Sequence, residues 1–210
     1  MHQKENYAAL IAQYNDPSSL MYRKLRIVDG YIKKGYSLLD IGMGIGEFIN
    51  LEKDKFQEIY GFDIDKDAVE FCNKRFEAYN NIKIFSGDLN NIKSLTKSLR
   101  FDVITCLDVL EHVDEEMCIN VLGIVYDLLK DDGLFIFSGP GVFEKLRINL
   151  GLSPTHKHSH SSYEWANIFR RSNFHVDTVE TVEFPIINSE TLRRKVHIFG
   201  KCCVIVSKRG

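Results

Sequence analysis

No apolar run in this chain approaches the ~20 residues that a membrane-spanning helix needs, and the first residues, Met1-His2-Gln3-Lys4-Glu5-Asn6, lack the basic-then-apolar layout of a secretory signal. A soluble, cytoplasmic protein without a membrane partner is therefore expected. Cysteine pairs at C-x-x-C spacing are missing as well. The five cysteines, Cys72, Cys106, Cys118, Cys202 and Cys203, are odd in number and sit mostly in apolar runs, as reduced core residues do. Neither sign of charge dominates: 27 Lys and Arg against 29 Asp and Glu give a formal net charge of −2, so no global basic field recruits nucleic acid. What the chain does have is 210 residues, 44% of them hydrophobic, enough for one α/β domain with a full core and too little for a second independent domain.

The stretch from Ser37 to Phe48, S-L-L-D-I-G-M-G-I-G-E-F, organises the rest. A short apolar run enters three alternate glycines and leaves into a helix-compatible segment, the pattern of a buried parallel strand turning sharply into a helix. Glycine tolerates φ > 0 and has no Cβ, so a ligand can lie against bare backbone at the carboxyl end of such a strand. The glycines fall at 42, 44 and 46, and Glu47 stands where a dinucleotide fingerprint requires its third glycine, which argues against NAD.

Before this turn, residues 1–34 read as two helices broken at Asp16-Pro17-Ser18-Ser19, the second capped near Ser18 or Ser19 and ending at Lys33-Lys34-Gly35. They cover one edge of a sheet or form a lid over the ligand. After it come a helix of about ten residues and a second strand ending in acids at Asp63 and Asp65. An acid at that tip accepts hydrogen bonds from ribose hydroxyls. Asp63 is assigned that role, Ile64 an apolar face for adenine, and Asp65 the cap of the next helix. A third strand, 81–85, ends at Ser86-Gly87-Asp88-Leu89, where Asp88 either accepts from an exocyclic amine such as adenine N6 or caps the helix that follows. A fourth strand, 101–106, leads through Leu107-Asp108-Val109-Leu110-Glu111-His112-Val113 into an amphipathic helix that stops at Lys130-Asp131-Asp132-Gly133, and 134–138 form a fifth strand. The β-α alternation implies a parallel sheet with helices on both faces.

Taken in order, L-D-I-G-x-G-x-G, Gly61-Phe62-Asp63, Gly87-Asp88-Leu89, the 101–113 segment and Leu129-Lys130-Asp131-Asp132-Gly133 resemble the class I S-adenosylmethionine-dependent methyltransferases, in their small-molecule and RNA branch, over roughly residues 35–138. The family's usual Lys-Pro-Gly-Gly turn is replaced by Lys130-Asp131-Asp132-Gly133. The resemblance implies a three-layer Rossmann-like α/β fold with a seven-stranded, mostly parallel sheet whose last strand is antiparallel. Residues 163–174 would be a helix, 175–184 a strand and 196–207 the last strand. A helical cap over 1–34 would precede a methyltransferase domain over 35–210, with a substrate-shaping insertion at about 139–162. S-adenosyl-L-methionine would be held by Asp40, Gly42, Gly44, Gly46, Asp63, Ile64, Asp88, Leu89 and Leu107.

The sulfonium already activates the methyl group, so the protein mainly aligns donor and acceptor and, for a hydroxyl, removes a proton. Glu111, His112 and His160 are assigned that chemistry. Asp108, Glu111 and His112, at i, i+3 and i+4, would share one side of a helical first turn. His156, His158 and His160 follow in a polar loop beside the substrate end of the sheet. Certain ubiquinone-pathway O-methyltransferases and small-RNA 2′-O-methyltransferases resemble the chain in an acid-x-x-Glu-His sequence that binds a divalent cation there; the reading adopted places no metal here. A small-molecule acceptor is expected, with RNA and a non-catalytic, partner-serving role as the alternatives.

Overall fold

The structure is a computed structural model, and it describes residues 6–96, 99–153, 155–182 and 202–210. Two helices, α1 (Asn6–Asn15) and α2 (Leu20–Tyr31), open the described chain. Ser19 caps α2, its side chain accepting from the Tyr22 amide at 3.2 Å. The helix stops earlier than expected. Ile32 is already extended and buried, so Gly35 opens β1 (Gly35–Ile41) instead of closing a helix.

The chain then alternates through α3 (Glu47–Glu52), β2 (Phe56–Asp63), α4 (Lys66–Arg75), β3 (Ile82–Ser86), α5 (Ile92–Thr96), β4 (Phe101–Leu107), α6 (Glu115–Leu128) and β5 (Leu129–Pro140). It continues with α7 (Val142–Asn149), α8 (Ser162–Arg171), β6 (Phe174–Val182) and β7 (Cys202–Arg209). Two short 3₁₀ turns, Leu89–Asn91 and Leu110–His112, follow β3 and β4. Three boundaries differ from the sequence reading. α3 has six residues where about ten were expected. The Lys130–Gly133 segment is already strand, because Leu129 pairs with Phe101 before the register breaks. Strand β6 begins at Phe174, and the expected strand positions 183–184 and 196–201 lie outside the described residues.

The sheet has seven strands in the order β3-β2-β1-β4-β5-β7-β6. β1 to β5 pair in parallel and β7 runs antiparallel to both β5 and β6. Adjacent strand residues supply opposite faces. Leu38, Val103, Ile136 and Val204 pack under α2 to α4, whereas Leu39, Ile104, Phe137 and Ile205 pack under α6 and α8, whose Trp165 is fully buried on Phe137. Burial on both faces is why these strands read as continuous apolar runs rather than alternating ones. Strand order reverses between β1 and β4, so the loops leaving their carboxyl ends diverge and open a crevice. Among the described residues, no helix is long and apolar enough to cross a membrane.

Candidate active site

The glycine turn sits at that crevice. Gly42, Gly44 and Gly46 all have positive φ (+72°, +53° and +75°), the left-handed region that other residues enter only under strain. A Cβ on Gly44 would meet nothing within 4 Å, so this backbone faces open space. Asp63, at the tip of β2, ties the turn down: its Oδ2 accepts from the Gly44 amide at 2.8 Å and its Oδ1 from the Asp65 amide at 2.9 Å. Asp65 caps α4, accepting from the Asp67 amide.

A cavity of about 360 Å³ adjoins the turn, walled by Gly42, Asp63, Ile64, Asp88, Leu89 and Val109, with Asp108 and His112 at one end. Its size lies in the range of cofactor sites. Ile64 is 69% exposed and lines this cavity, where it offers an apolar surface. Asp88 does cap the 3₁₀ turn, through its Oδ1 to the Asn90 amide at 2.9 Å, and its Oδ2 stays available as an acceptor, so the two roles weighed for it are compatible. The residues present therefore fit an adenosyl group: an open backbone cradle, an acid for the ribose, an aliphatic wall and an acceptor for an amine.

Four of the assigned cofactor residues, Asp40, Gly44, Gly46 and Leu107, are not among those walling this cavity, and a Cβ on Gly46 would run into Phe76 and Cys72. Leu107 ends β4 inside the packed layer and does not wall the cavity. Asp40 is buried beneath the turn, where its Oδ1 accepts from Thr105 Oγ1 at 2.7 Å. Burial pushes its carboxyl up from 3.8 to about 7. A folded-state pKa raised in this way means that the native protein holds a proton that the unfolded chain releases, so stability falls as pH rises through the window from about 4 to 7. Asp40→Asn, which keeps the acceptor and cannot ionise, is expected to gain stability relative to the parent by an amount that grows across this window, on the order of 4 kcal/mol by pH 8. Denaturant unfolding of both proteins at several pH values measures it; a constant difference would contradict the assignment.

A second cavity, of about 460 Å³, shares Asp108 and His112 with the first. Asp108 does not lie on a helical turn. Its φ is +56°, and it is held by the Ser138 Oγ at 2.8 Å and by the Lys24 ammonium of α2. Glu111 does lie on a turn, the 3₁₀ turn Leu110–His112, is 2% exposed, and burial pushes its carboxyl up to about 7. Its Oε2 has no hydrogen-bond partner among the described residues.

The histidine that joins Glu111 and His112 is His156. Their donor atoms all lie within 4.8 Å of one another, and the His112 and His156 rings are 4.8 Å apart. Each ring has its Nδ1 engaged, His112 with the Thr155 carbonyl at 3.0 Å and His156 with Glu144 Oε1 at 2.8 Å. Burial alone would raise the Glu144 carboxyl, but Ser153, His156 and Arg147 hold it below the usual range. His160, the residue assigned from the sequence, instead packs 4.8 Å from Trp165 and 5.0 Å from His158, and it walls neither cavity. A broader depression of about 810 Å³ along α6 and the end of α8 contains none of the motif residues.

Sequence reasoning missed Lys24 and Glu144. Lys24 left a legible trace: it stands four residues after Leu20 and four before Val28, a lysine in the middle of an apolar helical stripe, and it is 3% exposed. Glu144 left none.

Comparison with known proteins supplies independent information. Residues 12–179 match the family described as "Methyltransferase domain". A ribosomal protein L11 methyltransferase of Acetivibrio thermocellus is 28% identical over 116 residues, covering 54% of this chain and 34% of that protein. A ubiquinone biosynthesis O-methyltransferase of Glaesserella parasuis is 32% identical over 108 residues, covering 50% of this chain and 45% of that protein. The chain thus spans about a third of the length of the L11 methyltransferases it matches. In fold, it is similar to the crystal structure of an S-adenosylmethionine-dependent methyltransferase from Archaeoglobus fulgidus, with a TM-score of 0.71 at 23% identity, covering 97% of this chain and 99% of that one.

Proposed function

The chain belongs to the methyltransferase-domain family, whose methyl donor is S-adenosylmethionine, and from that premise we propose that it methylates an oxygen or nitrogen of a small molecule. The observation that carries this reading is the meeting of two cavities at Asp108 and His112, one suited to an adenosyl group and the other to an acceptor. When bound, the donor supplies an electrophilic methyl on a sulfonium. The protein's own residues do the rest. Gly42, Gly44 and Asp63 fix one end of the ligand, Ile64 and Leu89 cover a flat apolar face, and Asp108 and His112 stand where the two ligands face each other. Glu111, buried and without a partner for Oε2, is placed to take a proton from the acceptor.

S-adenosylhomocysteine release, followed by mass spectrometry across a panel of small hydroxyl and amine compounds, tests the reading. Turnover of at least one of them is expected, and Glu111→Gln is expected to lower it by about 10²- to 10⁴-fold, the usual worth of a positioned acid or base. Turnover of none of them by folded protein that binds the cofactor would overturn the small-molecule assignment.

One observation favours a second reading. Glu111, His112 and His156 offer an oxygen and two ring nitrogens at mutual distances that suit a divalent cation, and both rings are oriented by an acceptor on Nδ1, as metal-ligating histidines are. With a cation there, the residues would position an acceptor hydroxyl by direct ligation, and an RNA 2′-hydroxyl joins the acceptors; the net charge of −2 does not favour that substrate. Loss of turnover on chelation, restored by manganese, would establish this reading. Unchanged turnover would remove it.

A further inference from the structure

We infer that Lys24 selects the acceptor: it binds the reacting atom as an oxygen and rejects amines, so that the substrate is a small molecule bearing an ionisable hydroxyl. This rests on the methyltransferase reading above and narrows it.

The inference starts from the charges that face the second cavity. Three carboxylates wall it, and two of them, Asp108 and Glu144, are already engaged. Asp108 accepts from Lys24 through one oxygen and from Ser138 through the other. Glu144 accepts from Ser153 and from His156 on Oε1 and from Arg147, at 3.2 Å, on Oε2. An acceptor ammonium entering this space would face the Lys24 cation and could not accept a hydrogen bond from it.

Lys24 is the opposite case. Its Nζ lies on the wall shared with Asp108, 3% exposed, and an ammonium has three N–H donors. Asp108 takes one, and the Met21 sulfur, at 3.6 Å, is a weak acceptor for another. A donor therefore remains for a ligand oxygen, and a hydrogen bond from a charged donor is stronger than a neutral one. Leu20, Met21, Pro140 and Cys202 supply apolar walls around it, which suits a compact hydrophobic body with one polar point. The backbone at Asp108 is consistent with such a role. A non-glycine residue at φ +56° persists only where its surroundings over-determine it, and here Lys24 and Ser138 do so at the junction of the two cavities.

The step balances. The acceptor O–H gives its proton to the Glu111 carboxylate while Lys24 hydrogen-bonds the oxygen as its negative charge develops. The oxygen lone pair forms the new O–CH₃ bond as the S–CH₃ bond of the donor breaks, its electron pair staying on sulfur. The sulfonium charge disappears, and the proton leaves from Glu111 to solvent.

The test uses 4-nitrophenol, whose visible phenolate band reports ionisation, and benzylamine as the amine probe. Both are added to protein already titrated with S-adenosylhomocysteine, in buffer held below the phenol's own pKa. The phenolate band is expected to appear on binding to the parent protein, and benzylamine is expected not to displace it. Lys24→Met is expected to weaken the phenol by about tenfold or more, as for loss of a hydrogen bond to a charged group, and to abolish the band in protein kept saturated with S-adenosylhomocysteine. Lys24→Arg is expected to keep the band. Phenol binding without ionisation, equal binding by Lys24→Met, or displacement by benzylamine would each overturn the inference, and the benzylamine competition needs no variant to fold. If S-adenosylhomocysteine itself fails to bind, the methyltransferase reading fails first, at a separate step of the same titration.

Discussion

Gly42→Ala is expected to lose most of its S-adenosylhomocysteine affinity and a large part of its stability together. Two costs coincide at this position. The backbone holds φ at +72°, which charges an L-residue about 1–2 kcal/mol, and the added Cβ would fall inside the side chain of Val109. Overpacking of that kind costs typically 1–3 kcal/mol. The sum is on the order of 2–5 kcal/mol, a sizeable share of the 5–15 kcal/mol that holds an ordinary domain together, and a thermal midpoint about 10 °C lower is expected. Gly42 and Val109 both wall the first cavity, so whichever of them moves reshapes the ligand site. Gly44→Ala makes the informative comparison: its Cβ meets no protein atom within 4 Å, so it adds the φ penalty alone to the fold, while protruding into the space assigned to the ligand. Thermal unfolding and calorimetric titration of the two variants should separate these effects. A Gly42→Ala protein with parental stability would contradict the packing described.

Asp63→Ala is expected to weaken S-adenosylhomocysteine by about 100-fold, the 1.5–3 kcal/mol typical of hydrogen bonds to a charged group, and to destabilise the fold as well. Both carboxylate oxygens hold backbone amides, Gly44 at 2.8 Å and Asp65 at 2.9 Å, and alanine would leave these donors without their acceptor. The carboxylate is thus the tie between the glycine turn and the start of α4 before any ligand arrives, and Asp63 also walls the cavity. Asp63→Asn keeps one carbonyl oxygen but presents an NH₂ group to the other amide, so it should retain part of the stability and little of the affinity. Parental affinity in Asp63→Ala would place the ribose elsewhere.

The sheet was legible because burial on both faces leaves an unmistakable trace: continuous apolar strands, each ending in glycine or acid, separated by single helices. The glycine turn and the acid that ties it were legible too, since backbone at positive φ favours glycine and the free amides of such a turn need an acceptor. What failed were readings that spacing cannot decide. Asp108 was placed on a helical turn, yet its contacts with Lys24 and Ser138 hold it in the left-handed region, an outcome of partners far apart in the chain. Asp40 was assigned to the ligand but turns under the loop toward Thr105. Among three alternate histidines no local pattern separates the one at the site: the Thr155 carbonyl and Glu144 bring His156 to His112, while aromatic packing on Trp165 takes His160 away. The second cavity is assembled from α2, the loop after β4, the insertion after β5 and the start of β7, so its composition follows from tertiary contacts and not from any one stretch.

Calorimetric titration of the purified protein with S-adenosylhomocysteine tests the central claim most directly. Saturable binding at one site per chain is the result this account predicts, because the glycine turn, Asp63, Ile64 and Asp88 already surround a cavity of suitable size without rearrangement. A folded protein that takes up no S-adenosylhomocysteine would contradict it, and the cavity between the glycine turn and Asp108 would then need another occupant.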